Sequence, residues 1–459
     1  MSFTGIFPKS SKSKVHKGKL KLVRCKKCTL LQLEDNFDSN IMYGDNYGYM
    51  SSLNKAMEFH LKLKSKYLLD TYKLKKGAYV LDIGSNDGTF LSFFNKSFKL
   101  YACDPTIKKF KKFYRKDINL TPDFFSEEKF VGYKFDLITS VAMFYDLPDP
   151  LKFANDIKNV LSDQGIWHVE MSYMPSMINT GSYDTICHEH LEYYSIKSLK
   201  YLMDLANLKI INVSFNQVNG GSISLDIAKK NSKYSQNKSL LKWLLLRENL
   251  NGFNSLKVQQ KFFKQSKKHK YLLNDLLKKL KTQGKSVYGY GASTKGNVIL
   301  QYCKINKKYL KYIVEVNKFK FNRFTPGSKI KIIPEKLLNK KKPDYLLLLS
   351  WHISQSLITM FSMSGYWRAG VFDGHLVSLD SHLKIENILY SNLSQPHTPR
   401  IFDGEVCFAD SFAGSLVHGT KGTILQTDGF VRGIEKIGSI PNNDQSQNEE
   451  NIDSIKCSP

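Results

Sequence analysis

Cysteine is scarce, and seven in 459 residues make no disulfide framework, which agrees with a reducing cytoplasm. Uncharged apolar runs are all too short to cross a bilayer, and the lysine-rich start from Met1 to Lys19 lacks the apolar core of a secretory signal. A soluble, cytoplasmic protein with no membrane partner is therefore expected. Arginine is sparse beside lysine, and neither an RNA-binding aromatic signature nor an Asn-Pro-Pro-Tyr or Asp-Pro-Pro-Tyr base-flipping motif is present. The formal charge of +27 thus reads as a lysine bias spread along the chain, with no nucleic-acid partner expected. That charge would still help to attract an anionic substrate such as a nucleotide diphosphate. Oligomeric state is not legible.

Hydrophobic residues make up 42% of the chain, enough for several cores, and the length suggests about three domains. The stretch from Val80 to Leu91 runs as an apolar strand, breaks at Gly84 and Gly88, and resumes as an apolar helix. Such a turn at the carboxyl end of a buried strand is where open α/β sheets bind ligands, although a plain tight turn would use the same glycines. A dinucleotide site wants G-x-G-x-x-G, and the third glycine is missing, which counts against a nicotinamide oxidoreductase. With Asp82 at the strand end and Asn86 between the glycines, the stretch resembles the first motif of class I S-adenosylmethionine-dependent methyltransferases. The run Leu100 to Asp104 reads as a second strand ending in a carboxylate placed for two ribose hydroxyls. The resemblance implies a Rossmann-like sheet holding S-adenosylmethionine.

Cys25-Lys26-Lys27-Cys28 is half of a tetrahedral zinc site. Upstream stands only His16, and no second C-x-x-C exists, so unliganded thiols are expected over zinc. The loop Tyr43 to Ser52, with Tyr47 and Tyr49, is set either for packing or to line a sugar site, and a helix from Leu53 to Leu74 follows it. Phe135 to Ser140 and Ile166 to Glu170 read as further strands, with a helix from Leu151 to Leu161 and a turn at Gly165 between them. Phe124, Met143 and Phe144 are candidates to line the adenine and methionine pockets, or to be core. Leucine- and lysine-rich helices fill 231–283. A second glycine turn, Gly289 to Asn297, then opens another Rossmann-like unit, where Ser293 and Lys295 are placed to hold phosphates. From about Asn387 lysine thins out, short β-like runs such as Gly422 to Leu425 appear without a legible task, and the polar end is expected to be disordered.

The densest reactive cluster is Tyr183-Asp184-Thr185-Ile186-Cys187-His188-Glu189-His190. The histidines stand two apart, so they do not share a helix face as in the metalloprotease motif; a general-base role beside a carboxylate suits them better. Taken in order, the Asp82 turn, this segment, Asn219-Gly220-Gly221-Ser222 and the Gly291 to Asn297 loop resemble nucleotide-sugar C-methyltransferases. The match covers roughly Leu20 to Glu386. It implies an α/β chain with a cysteine-knuckle region (1–52), a class I methyltransferase domain (53–230), a helical connector (231–283), a second Rossmann-like domain for the nucleotide (284–386) and an unmatched tail (387–459).

By that resemblance His190 is the base, with Glu189 beside it; what enolate formation demands then suggests that Glu189 orients it and that His188 is a donor to the enolate oxygen. Tyr47, Tyr49, Cys187, Asn219, Ser293 and Lys295 face the nucleotide-sugar, and Asp82, Gly84, Asn86, Gly88, Asp104, Phe124 and Met143 face the cofactor. Three departures stand out: the family's first cysteine pair is absent, Cys187 replaces a tyrosine, and Asn219 replaces a histidine. An O- or N-methyltransferase acting on a small metabolite would share every cofactor feature; only the base cluster and the second nucleotide-like domain speak against it.

Overall fold

The computed structural model describes residues 1–43, 48–216, 218–340 and 342–349, and beyond them the backbone of short strands between 361 and 458. The chain divides into two compact units, Met1–Ser350 and Trp351–Pro459.

In the first unit a small antiparallel hairpin, β1 (Leu22–Arg24) and β2 (Leu31–Leu33), turns through the cysteine pair. The helix Lys55–Tyr72 follows, two residues inside the expected bounds at each end. Asn54 caps it by accepting the N–H groups of Ala56 and Met57, and Lys73 ends it in a left-handed conformation, φ 46°.

The central sheet is built from β3 (Tyr79–Ile83), β4 (Lys99–Cys103), β5 (Ile118–Thr121), β6 (Phe135–Val141) and β7 (Leu161–Ser172). After the two-residue β8 (Glu192–Tyr193), which pairs with β2, it is completed by β9 (Leu208–Asn216) and β10 (Ser222–Lys229). The order is β5-β4-β3-β6-β7-β10-β9, with β10 antiparallel to both its neighbours. Succession runs one way from β3 to β5 and the other way from β6 to β7, so the switch point lies between β3 and β6, where a doubly wound sheet opens a crevice. Both faces are covered, one around Trp167, Phe144 and Leu199, the other around Leu68, Phe90 and Leu100.

Gly165 makes no turn. The strand β7 runs through it, and the ladder to β6 shifts register between Phe135 and Leu137. Only glycine fits there, because an added Cβ would lie 2.6 Å from the Phe135 carbonyl oxygen.

Two helices, Lys238–Leu250 and Leu256–Thr282, break at Gly252 and lead to a second parallel sheet. It contains β11 (Val287–Tyr290), β12 (Ile313–Glu315), β13 (Ile332–Pro334) and β14 (Tyr345–Leu348), in the order β13-β12-β11-β14. That is the expected second Rossmann-like unit; among the described residues its last strand is β14, and the chain divides into compact units after Ser350.

In the second unit the backbone forms antiparallel ladders: Phe361–Ser362, Gly374–Leu379 and Ile385–Leu393; then Pro396–Phe402, Glu405–Asp410, Ser415–His418 and Gly422–Gln426. Ser454–Ser458 pairs with Gly433–Gly438, where the sequence pointed to a disordered end.

Candidate active site

A cavity of about 550 Å³ opens at the switch point of the central sheet. Asp82, Gly84 and Asn86 come to it from the end of β3, Asp104 and Thr106 from β4, Phe124 from the segment after β5, and Met143 and Asp146 from the loop after β6. The turn needs its glycines: Gly84 sits at φ 75°, and a Cβ on it would stand 2.8 Å from Met143 Cγ. Gly88, at φ 79°, caps the following helix and supports the turn from behind, against the Tyr114 ring, without lining the cavity. Asp104 accepts from the Asn86 N–H at 2.9 Å and from Thr106 N and Oγ1 at 2.7 and 2.6 Å. Asp82 accepts from Thr139 Oγ1 at 2.6 Å, and burial, reinforced by Asp104, pushes its carboxyl up to about 7.

His190 stands against the same loop from the other side. Its ring meets Tyr145 edge-on at 4.4 Å, and Tyr145 lies between the cavity-lining Met143 and Asp146. Nδ1 is 2.8 Å from the Thr185 carbonyl oxygen, so Nδ1 carries the proton and Nε2 is left with a free lone pair. Burial, then the Lys295 cation, holds this imidazole down to about 4, hence neutral at physiological pH.

Lys295, itself buried, donates to the Asn219 carbonyl oxygen at 2.6 Å and so ties the second Rossmann-like unit to the β9–β10 loop. Burial lowers its pKa, with Asp184 and Cys187 opposing. The structure therefore brings His190, Lys295 and Asn219 together beside the loop that lines the cavity.

Other expected residues are placed differently. Thr185, not Glu189, orients His190; Glu189 instead accepts from Thr4 Oγ1 at 3.2 Å and lies beside the Cys187 thiol. His188 turns away from its expected role as an enolate donor: its ring packs 4.8 Å from Phe3 and 5.0 Å from Phe37, and Nε2 donates to Gly18 O at 3.4 Å. The neighbouring rings and the Gly18 carbonyl hold it there, although Nδ1 is buried without a hydrogen-bond partner. Phe144 is core, stacked on Tyr194 at 5.3 Å. Tyr49 lines the cofactor cavity, where the sugar side was expected, and Tyr47 lies outside the described residues. Cys187 is fully buried. Ser293 caps the helix Thr294–Tyr302 by accepting from Gly296 N at 2.9 Å, which engages the hydroxyl locally.

Cys25 and Cys28 are free thiols on the hairpin turn, Cys25 held down by the N–H groups of Cys28 and Lys27, and Cys28 pushed up by burial. Among the described residues no group of three metal-ligating side chains forms.

Residues 57–213 match the family model of a methyltransferase domain, and residues 217–371 match that of a C-methyltransferase C-terminal domain. The chain is an S-adenosylmethionine-dependent methyltransferase. Its two matched segments follow one another along the chain, the first on the class I Rossmann-like sheet. The C-methyltransferase NovU of Streptomyces niveus is 25% identical to it over 347 residues, covering 74% of this chain and 82% of that protein. Among solved structures, the putative methyltransferase bound to the Haloferax volcanii Trm112 activator aligns at 13% identity, with 39% of this chain and 94% of that chain covered and a TM-score of 0.33. An S-adenosylmethionine-dependent methyltransferase from Clostridium acetobutylicum aligns at 12% identity, with 39% and 93% covered and a TM-score of 0.31.

Sequence reasoning missed how this methyltransferase braces its cofactor turn. Ser51 N donates to Asn86 Oδ1 at 3.0 Å, Ser52 Oγ to Asp87 Oδ2 at 2.7 Å, and Tyr114 OH to Asn86 O at 2.8 Å. Asp87 inside the motif, two residues before the helix, was the available signal.

The two histidines also make a pH prediction. His188 and His190 are both held at about 4, against 6.5 when free, so folding favours their neutral forms. The stability this gives is complete above 6.5 and is lost as pH falls toward 4. His188→Phe keeps the aromatic packing and removes one titration, so its melting temperature should fall less than the wild type's between pH 7 and 5. Parallel falls would contradict the assignment.

Proposed function

We propose that this methyltransferase C-methylates a keto nucleotide-sugar, with His190 as the base that makes the carbon nucleophilic. What supports this most is the imidazole itself: neutral, with Nδ1 tied to a backbone carbonyl and Nε2 free, packed through the Tyr145 ring against the loop that lines the cofactor cavity. S-adenosylmethionine supplies an activated methyl group on a sulfonium.

The chain's part is to hold and aim. Asp82, Asn86, Asp104, Phe124 and Met143 with the Gly84 and Gly88 turn hold the cofactor. Nε2 of His190 takes the proton from the carbon next to the ketone, and the Thr185 carbonyl keeps the imidazolium oriented. Lys295 is the fixed cation beside the base and suits the oxyanion that develops, the role expected of His188. Asn219, whose backbone meets Lys295, remains a candidate for the substrate side.

Screening 4-keto nucleotide-sugars with methyl-labelled donor tests the reading: label should enter one of them, and no transfer to any would refute it. Cofactor binding carries its own check. A cation in the cavity favours ionised Asp82, whose carboxyl stands at about 7 without one. Affinity for S-adenosylmethionine should therefore rise about tenfold from pH 6 to pH 8, with proton release measured calorimetrically. Asp82→Asn should bind more weakly and flatten that dependence; an unchanged slope would remove Asp82 from the role.

A further inference from the structure

The segment from Ser2 to Phe7 carries no motif, yet it reaches the reactive cluster. Thr4 is fully buried, and its hydroxyl donates to Glu189 Oε2 at 3.2 Å, while the Gly5 N–H hydrogen-bonds the same carboxyl group. A Cβ on Gly5 would collide with Glu189 Oε1 and push that carboxyl group from its place. The other side of the segment is fastened to the second Rossmann-like unit. Asn297 Nδ2 donates to Thr4 O at 2.7 Å, and Gln301 exchanges two hydrogen bonds with the Ser2 backbone at 2.8 and 3.0 Å. Arg323 Nη1 donates to Phe7 O at 3.0 Å.

A buried carboxyl group needs donors to keep its place and its charge. The groups facing Glu189 from the surrounding elements are the Cys187 thiol on its own loop and Asp146 from the loop after β6. Asp146 is acidic and opposes the charge, so the Thr4 hydroxyl and the Gly5 N–H are the donors that the rest of the fold brings in.

The geometry points to this N-terminal strap as a working part of the substrate site: Thr4 and Gly5 are positioning residues that seat Glu189 and make its placement depend on the docked second Rossmann-like unit. This rests on the proposed keto-sugar reaction and on a part in it for Glu189 other than orienting His190, which Thr185 does: a carboxyl group held next to the base in the same loop.

Thr4→Val keeps the shape and removes the hydroxyl, Thr4→Ser restores it, and Thr4→Ala serves should the valine variant not fold. Two readouts are needed. The carboxyl carbon of Glu189, labelled and assigned by its loss in Glu189→Gln, is titrated by NMR. Turnover and KM are measured with a 4-keto nucleotide-sugar and S-adenosylmethionine. The expected result is a higher titration midpoint for Glu189 in Thr4→Val, a roughly tenfold lower kcat at unchanged KM for S-adenosylmethionine, and wild-type values in Thr4→Ser. An unmoved Glu189 midpoint in Thr4→Val overturns the strap's role whatever the activity. A moved midpoint in a chain that methylates no keto-sugar upholds the strap's hold on Glu189 and refutes the proposed reaction instead.

Discussion

Replacing His190 with alanine is expected to lower kcat at least a hundredfold while leaving affinity for S-adenosylhomocysteine within about twofold. The first half follows from the base role, since a positioned proton acceptor contributes roughly two to four orders of magnitude. The second follows from position: the cofactor cavity is lined by the ends of β3 to β6, and His190 reaches it only through the Tyr145 ring. Oriented by Thr185 O and beside Lys295, the imidazole has no structural task that its neighbours share. Calorimetry and steady-state kinetics on the same preparation separate the two effects. Near-normal turnover would take the base role from His190, and a large loss of cofactor affinity would make the residue structural.

The second large effect is on stability. Lys64, buried under the helix Lys55–Tyr72, pairs with Glu170 at 2.8 Å and reaches His168 Nε2 and Ser224 Oγ, each at 3.0 Å. His60 Nε2 stands 2.8 Å from the other Glu170 oxygen, and His168 passes the network on to Asp226 at 2.6 Å. Burial works against the Glu170 charge, but the Lys64 cation and then His60 override it and hold the carboxyl well below the usual range. Lys64→Met keeps the apolar stem and strands that charge at a site 2% exposed. Breaking one side of such a buried pair costs about 3–5 kcal/mol. The double variant Lys64→Met/Glu170→Gln should recover much of the loss, because it removes both charges. Urea unfolding of the three proteins measures this, and a single variant within about 0.5 kcal/mol of wild type would show the pair to be energetically idle.

The fold was legible where composition and position agree. Val80 to Leu91 announced a buried strand, a glycine turn and a helix because burial on both faces leaves no polar alternation and the ligand turn admits only glycine at Gly84. The second Rossmann-like unit repeated that signal at Gly289 to Asn297. The charge network was less visible, although it left a trace: His168 with Glu170, and Ser224 with Asp226, fall at period two on one face of otherwise apolar strands, opposite Lys64 on the apolar stripe of its helix. Read together, they signal a buried polar layer. Gly165 misled because glycine marks both turns and close backbone contacts, and only the register to Phe135 distinguishes them. The roles within His188-Glu189-His190 could not be read from spacing, since in a loop neighbouring side chains diverge according to what packs on them. Phe3 and Phe37 claim His188, Thr4 claims Glu189, and these partners lie far away in sequence.

The measurement closest to the central claim is the product itself. Enzyme, donor carrying a carbon-13 methyl group, and the 4-keto nucleotide-sugar that accepts label are combined, and the product is examined by NMR. The account predicts a labelled methyl bonded to the ring carbon next to the ketone, with none formed by the His190→Ala protein. A labelled methyl on oxygen or nitrogen would contradict it, as would carbon methylation that proceeds unimpaired without the imidazole.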